Sequence, residues 1–455
     1  MSESTRTVWL KNPLAIHTGD TADARGGLVV SGSRILEAVP AGASPLQPVG
    51  EVYDASRHVI IPGLINTHHH FYQTLTRAWT PVVSAELFPW LKGLYGVWAG
   101  LTPRDLELAT TAALAELLLS GCTTAADHHY LFPNGLEEGI DVQVEVVRRL
   151  GMRATLTRGS MSLGDNDGGL PPQSTVQDAD VILADSERLV GAYHERGEGA
   201  FVQIGLAPCS PFSVTTEVMR DTATLAERLD VRMHTHLAET IDEEDFCRER
   251  FGLRTVDYLD SVGWLGDRTW LAHGIHFDDA EIARLGAAGT AVSHCATSNM
   301  RLASGIARAV ELEAAGVPVG LGVDGSASND GSNMMMEVRQ ALYLQRLRYG
   351  AAAVTPEHAL NWATQGSARA LGRSDLGVLV PGKQADLAMF TLDELRFSGS
   401  HDPLAALLLC GAERADRVMV GGVWRVLDGQ IVGLDVPQLI AQHSEAARRL
   451  LARHG

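Results

Sequence analysis

Through the middle of the chain, short apolar runs alternate with longer stretches whose apolar residues recur at helical spacing. Val202-Gln203-Ile204-Gly205-Leu206-Ala207 and Val317-Pro318-Val319-Gly320-Leu321-Gly322-Val323 are of the first kind. Arg104–Leu119, Asp178–Glu195 and Thr216–Leu229 are of the second. Strands separated by helices predict a parallel sheet with covering helices. The apolar runs close on polar residues: His68-His69-His70, Asp127-His128-His129, Thr157-Arg158-Gly159, Pro208-Cys209-Ser210, His234-Thr235-His236, Ala272-His273-Gly274, Ser293-His294-Cys295 and Val323-Asp324-Gly325. Chemically capable side chains at eight successive strand ends are the pattern of a (β/α)8 barrel. An open doubly wound sheet is the competing architecture, but no G-x-G-x-x-G follows the first strand.

The two ends of the chain read differently. Thr7–Leu10, Gly27–Val30 and Arg34–Val39 near the N-terminus, and Ala385–Phe390, Arg417–Val420 and Val423–Val426 near the C-terminus, are short β-rich pieces divided by turn residues. Gly421-Gly422 between the last two is a hairpin signal. Both ends together predict one small sheet domain, residues 1–60 with 374–435, around a barrel of residues 61–373. Residues 436–455 read as a final helix with a basic end.

Composition narrows the class. A chain of 455 residues exceeds the roughly 250–300 at which single cores stop growing, which agrees with two domains. The net charge of −18 argues against nucleic acid or an anionic membrane as a partner. No apolar run reaches the roughly 18 residues of a membrane span, and Met1–Arg6 lacks a signal pattern. Cys122, Cys209, Cys247, Cys295 and Cys410 form no C-x-x-C pair, which fits a reducing cytoplasm.

The strand ends carry the chemistry. Alternate strand residues share a face, so His68 and His70 converge on one point while His69 turns away. His236 ends the fifth strand with Glu239 three residues on, His273 ends the sixth and Asp324 the eighth. Singly, each has a structural reading, as a loop or core histidine or as an aspartate capping the next helix. Together at four strand tips they predict a metal centre of nitrogen and oxygen donors, suited to Zn²⁺ with Fe²⁺ as the alternative.

Pro62-Gly63-Leu64-Ile65-Asn66-Thr67-His68-His69-His70, His236-Leu237-Ala238-Glu239-Thr240, Ala272-His273-Gly274 and Leu321-Gly322-Val323-Asp324-Gly325-Ser326 resemble the amidohydrolase superfamily, and within it the deaminase and chlorohydrolase branch. The similarity spans nearly the whole chain, since the two ends resemble that family's flanking β-sandwich and Pro381–Leu387 its return strand. The resemblance implies a distorted (β/α)8 barrel with a terminal β-sandwich, in a homodimer or larger assembly. It implies His68, His70, His236 and Asp324 as metal ligands. Glu239 would shuttle protons with Asp324, and His273 would hydrogen-bond the attacking water or the tetrahedral intermediate. Many members bridge two metals with a carboxylated lysine at the end of strand four. Here the lysines are Lys11, Lys92 and Lys383, so that bridge cannot form and a single metal is expected, with Cys209 as the one other bridging candidate.

The substrate expectation is a small heterocyclic amine. Gln73 offers a donor and an acceptor to a lactam edge, and Trp79 a flat face for stacking. Pro208-Cys209-Ser210-Pro211 departs from the branch's usual histidine there, which counts against nucleosides. His68–Gln73 together with Cys209 resembles a group acting on 8-oxoguanine, also labelled hydroxyatrazine ethylaminohydrolases, which implies hydrolysis of 8-oxoguanine to urate and ammonia. Gln73, Trp79 and Cys209 also read as a loop amide, a packing aromatic and a small filler. Arg158 and His129 are further pocket candidates. Leu87–Leu101, with Trp90, Tyr95 and Trp98, reads as an aromatic lid or as packing. An s-triazine aminohydrolase and a guanine deaminase are the alternatives. A non-enzymatic metal-binding protein would require Glu239 or Asp324 to be dispensable.

Overall fold

The computed structural model describes residues 7–453; Met1–Arg6 and the last two residues of the C-terminal segment lie outside the described residues. Eight parallel strands close into a barrel: β1 (Leu64–Asn66), β2 (Cys122–His129), β3 (Arg153–Ser160), β4 (Val202–Pro208), β5 (Met233–Leu237), β6 (Thr269–His273), β7 (Ala291–His294) and β8 (Val319–Leu321). They are buried almost throughout, as parallel strands covered on both faces must be. The barrel is distorted where it closes, because β8 and β1 share the single register pair Leu321↔Asn66.

The predicted helices are present, with ends that differ by a residue or two. Pro103–Leu119 starts at a capping box in which Thr102 and Asp105 satisfy each other's backbone donors. Ala179–Tyr193 packs on β3 and β4, and Thr216–Leu229 on β4. The final helix, Val436–Ala452, packs on Pro103–Leu119, and His443 bonds Thr74 at 3.0 Å.

The apolar run before His68 divides into two strands. His58–Pro62 pairs antiparallel with Leu387–Thr391 in the terminal domain, and β1 begins only at Leu64. Gly63 is the joint. A Cβ there would lie 2.2 Å from Thr123 Oγ1, so the close approach of β1 to β2 admits no side chain. His68–His70 therefore lie beyond β1. Their backbone stays extended, held by Asp324 N–H to His68 O at 3.0 Å and His128 N–H to His69 O at 2.7 Å. Residue alternation thus still applies.

The terminal segments build two sheets. Thr7–Lys11, Gly27–Ser31, Arg34–Val39 and Glu51–Asp54 form a four-stranded sheet. Ala15–Ile16, His58–Pro62, Leu387–Thr391, Arg417–Val420, Val423–Leu427 and Gln430–Ile431 form a six-stranded one. Leu10, Leu28 and Ile35 of the first share one core with Ile60, Leu387 and Met419 of the second, which makes a sandwich. Gly421-Gly422 turns the predicted hairpin with φ of 55° and 78°, angles open to glycine.

One buried ion pair joins sandwich to barrel. Arg153 at the start of β3 is bidentate to Asp386 at 2.8 and 3.1 Å, with Gln384 Oε1 at 3.0 Å. Removing one partner of such a pair strands a buried charge, at a cost of about 3–5 kcal/mol.

Candidate metal centre

The C-terminal ends of β5 and β6 and the segments after β1, β5 and β8 bring the expected residues together at the barrel's C-terminal mouth. His68, His70, His236, Glu239, His273 and Asp324 are all buried there. Three strand-end positions curl inward through left-handed backbone, with φ of 53° at Ala238, 72° at His273 and 63° at Asp324. Such conformations are costly for non-glycine residues and collect at functional sites.

Hydrogen bonds assign the imidazole protons. His70 Nδ1 lies 2.7 Å from His128 O, and His236 Nδ1 lies 2.6 Å from Cys209 O. A carbonyl accepts only, so each Nδ1 carries a proton, and the neutral form of each ring has its lone pair at Nε2. These two Nε2 atoms face each other at 3.2 Å. His68 Nε2 has no hydrogen-bond partner. Asp324 Oδ1 lies 3.3 Å from both His68 Nε2 and His70 Nε2. Its Oδ2 accepts from Ser298 at 2.6 Å and Ser328 at 3.0 Å. Three bare nitrogens and one carboxylate oxygen converging in a buried space fit a borderline divalent cation.

His128 also approaches this cluster, within 4.8 Å of donors on His68 and His236. Its Nε2 donates to Ala207 O at 2.9 Å, and its ring stacks on His236 with centroids 4.7 Å apart. His70 is the better donor, because its Nε2 faces both Asp324 and His236.

Electrostatics separate the two carboxyls. Burial and the nearby Asp324 charge push the Glu239 carboxyl well above the ordinary glutamate range. Burial opposes ionisation of Asp324 as well, but the facing His68 and His70 hold it well below the usual range. Glu239 Oε2 lies 3.4 Å from His273 Nε2, a nitrogen with no hydrogen-bond partner. Asn299 Oδ1 faces His273 Nδ1 at 3.1 Å. Glu243 grips the Glu239 backbone, each of its carboxylate oxygens accepting at 3.0 Å, from Ala238 N–H and Glu239 N–H.

A pocket opens beside these donors. Gln73 and Cys209 line it, with Trp90, Tyr95 and Tyr130 as aromatic walls. Gln73 Oε1 accepts from Ala327 N–H at 3.3 Å, which leaves its amide N–H₂ to donate. Burial pushes the Cys209 thiol up to about 12, so it stays neutral.

Other candidates fall elsewhere. Arg158 is bound to Asp185 at 2.7 Å and Gln177 at 2.9 Å, facing the helix Ala179–Tyr193, and is not a cavity wall. Its guanidinium lies 3.8 Å over Phe132. Trp79 packs half-buried on the main core, also away from the cavity lining. His129 sits edge-on between Tyr72 and Phe132. The helix Leu87–Trp98 supplies Trp90 and Tyr95 to the walls, where Trp79 does not reach.

The chain belongs to the Amidohydrolase family, which residues 59–425 match. Across 444 residues it is 73% identical to an 8-oxoguanine deaminase from Pseudomonas aeruginosa, covering 98% of this chain and 99% of that protein. It is 35% identical to a hydroxydechloroatrazine ethylaminohydrolase from Pseudomonas sp. strain ADP, over 95% of this chain and 94% of that one. The crystal structure of an atrazine chlorohydrolase from Arthrobacter aurescens TC1 complexed with zinc superposes with a TM-score of 0.91, at 31% identity, covering 97% of this chain and 100% of that chain.

Proposed function

We propose that this protein is a metal-dependent hydrolytic deaminase of an aminated oxopurine, converting 8-oxoguanine and water to urate and ammonia. The observation that carries this reading is the 73% identity to an 8-oxoguanine deaminase over nearly the whole of both chains. Cavity chemistry supports it. Gln73 presents an amide donor to a ring carbonyl, and the aromatic walls suit a flat bicyclic base.

His68, His70, His236 and Asp324 would hold one divalent cation, Zn²⁺ in preference to Fe²⁺, since both suit this donor set and the zinc-bound relative shares the fold. When bound, such a cation lowers the pKa of a water ligand from about 15.7 toward 7. The chain's own groups then move the protons. Glu239 accepts the proton of the attacking water and delivers it to the ring nitrogen beside the attacked carbon. A second transfer to the exocyclic nitrogen lets ammonia leave. His273 hydrogen-bonds the new oxygen, and Asp324, held by Ser298 and Ser328, passes protons with Glu239.

No helix among the described residues is long and apolar enough to cross a membrane. We place the protein in the cytoplasm as a homo-oligomer with no nucleic-acid partner, in keeping with its charge of −18 and its five free thiols. The sandwich is proposed as 1–60 with 374–435, extended to Pro62 by the pairing of His58–Pro62, with the barrel following to 373 and the helix closing the chain.

A panel of 8-oxoguanine, guanine and hydroxyatrazine, scored by ammonia or alkylamine release, tests the substrate. 8-Oxoguanine should have the highest kcat/KM. Turnover of hydroxyatrazine with none of 8-oxoguanine would establish the triazine alternative instead.

A further inference from the structure

Two H-x-H pairs face the same cluster, and the second has one member that the donor set does not use. His234 stands to His236 as His68 stands to His70, two residues apart and on the same side. Spacing alone would make it another ligand, but both of its nitrogens are engaged. Its Nδ1 lies 2.7 Å from Trp270 O, and its Nε2 lies 2.7 Å from His68 Nδ1.

The direction of this chain of bonds is fixed from one end. The Trp270 carbonyl accepts only, so His234 Nδ1 carries a proton. An imidazole with one proton already given to the Trp270 carbonyl has a lone pair at its other nitrogen, so His234 Nε2 is the acceptor in the 2.7 Å contact with His68. His68 must then donate from Nδ1, which leaves its Nε2 bare. That is the atom that lacks a hydrogen-bond partner and lies 3.3 Å from Asp324 Oδ1.

His234 is itself held rigidly. Its ring stacks on the Trp270 indole with centroids 4.4 Å apart at 13°. Trp270 Nε1 donates to Thr67 O at 3.0 Å, which ties that platform to the residue before His68. His70 and His236 take their orientation directly from backbone carbonyls, so His68 alone among the three depends on a side chain.

We propose that His234 is a positioning residue that holds His68 as its Nδ1–H tautomer and so presents Nε2 to the metal. The proposal rests on the reading of His68 as a ligand. Outer partners of metal-bound histidines commonly set affinity in this way.

The test is zinc affinity of the full-length protein, measured by competition with a chromophoric chelator, for the wild type, His234→Phe and His234→Gln. Phenylalanine keeps a ring against Trp270 but offers no acceptor. Glutamine restores an acceptor toward His68 and a donor toward Trp270 O. The phenylalanine variant should bind zinc about 10–100-fold more weakly. The glutamine variant should recover most of that loss. Zinc binding by His234→Phe as tight as the wild type's overturns the proposal, as does an equal loss in both variants. If His234→Phe does not fold, His234→Leu against His234→Gln decides it by the same ranking. A wild type that binds no zinc would overturn the ligand reading itself, an outcome distinct from variants that all bind equally.

Discussion

Glu239→Gln should lower kcat by about 10²- to 10⁴-fold while the protein still binds its metal. At about 1.4 kcal/mol for each factor of ten, that is roughly 3–5 kcal/mol of barrier. The size follows from what the residue can do and what it does not hold. Glu239 is buried beside the cavity, and its carboxyl is pushed well above the ordinary glutamate range by burial and by Asp324. It can therefore be protonated and deprotonated within one turnover. Glutamine keeps the volume and the backbone grip of Glu243 at 3.0 Å but has no proton to exchange. Since Glu239 is outside the set of bare donors around Asp324, metal content by elemental analysis should match the wild type. Full activity in this variant would remove Glu239 from the mechanism. Loss of metal would make it a ligand.

Asp324→Asn should weaken zinc by more than about 100-fold, beyond the range found when only an outer partner is lost, and activity should fall with occupancy. Asp324 is the only acid in the set, so it supplies the one negative charge toward the cation. Its Oδ2 is already taken by Ser298 and Ser328 and its Oδ1 by Gly325 N–H at 2.7 Å, so the shell expects acceptors at both oxygens. An amide nitrogen at either place would turn a donor toward donors. Excess zinc should restore part of the activity if charge is the main loss. Wild-type affinity in this variant would show that the metal sits elsewhere.

How far the sequence reached depends on the kind of residue. The barrel was legible because each strand is a short apolar run ending in polar residues, and eight such ends come in order. His68, His70, His236, Glu239, His273 and Asp324 were legible because they occupy those ends. His234 carried a signal too, the same i, i+2 spacing as His68 and His70, but spacing does not say which nitrogen is already bonded. Glu243 follows Thr240 at capping-box spacing, yet its carboxylate reaches past the N-cap to Ala238 and Glu239, which the left-handed Ala238 allows. Ser298, Ser328 and Asn299 come from loops and helix starts with no pattern to find them. Arg158 and Trp79 were drawn to the pocket by chain position alone. Asp185 and the main core hold them instead, because a strand-end side chain can face the covering helices as readily as the mouth.

The most direct test of hydrolytic deamination is to supply 8-oxoguanine to the zinc-loaded protein in water labelled with the heavy oxygen isotope and weigh the product. The account predicts urate carrying a single heavy oxygen, with one ammonia released for each molecule formed. Unlabelled urate, or no urate at all while the zinc site is full, would contradict it.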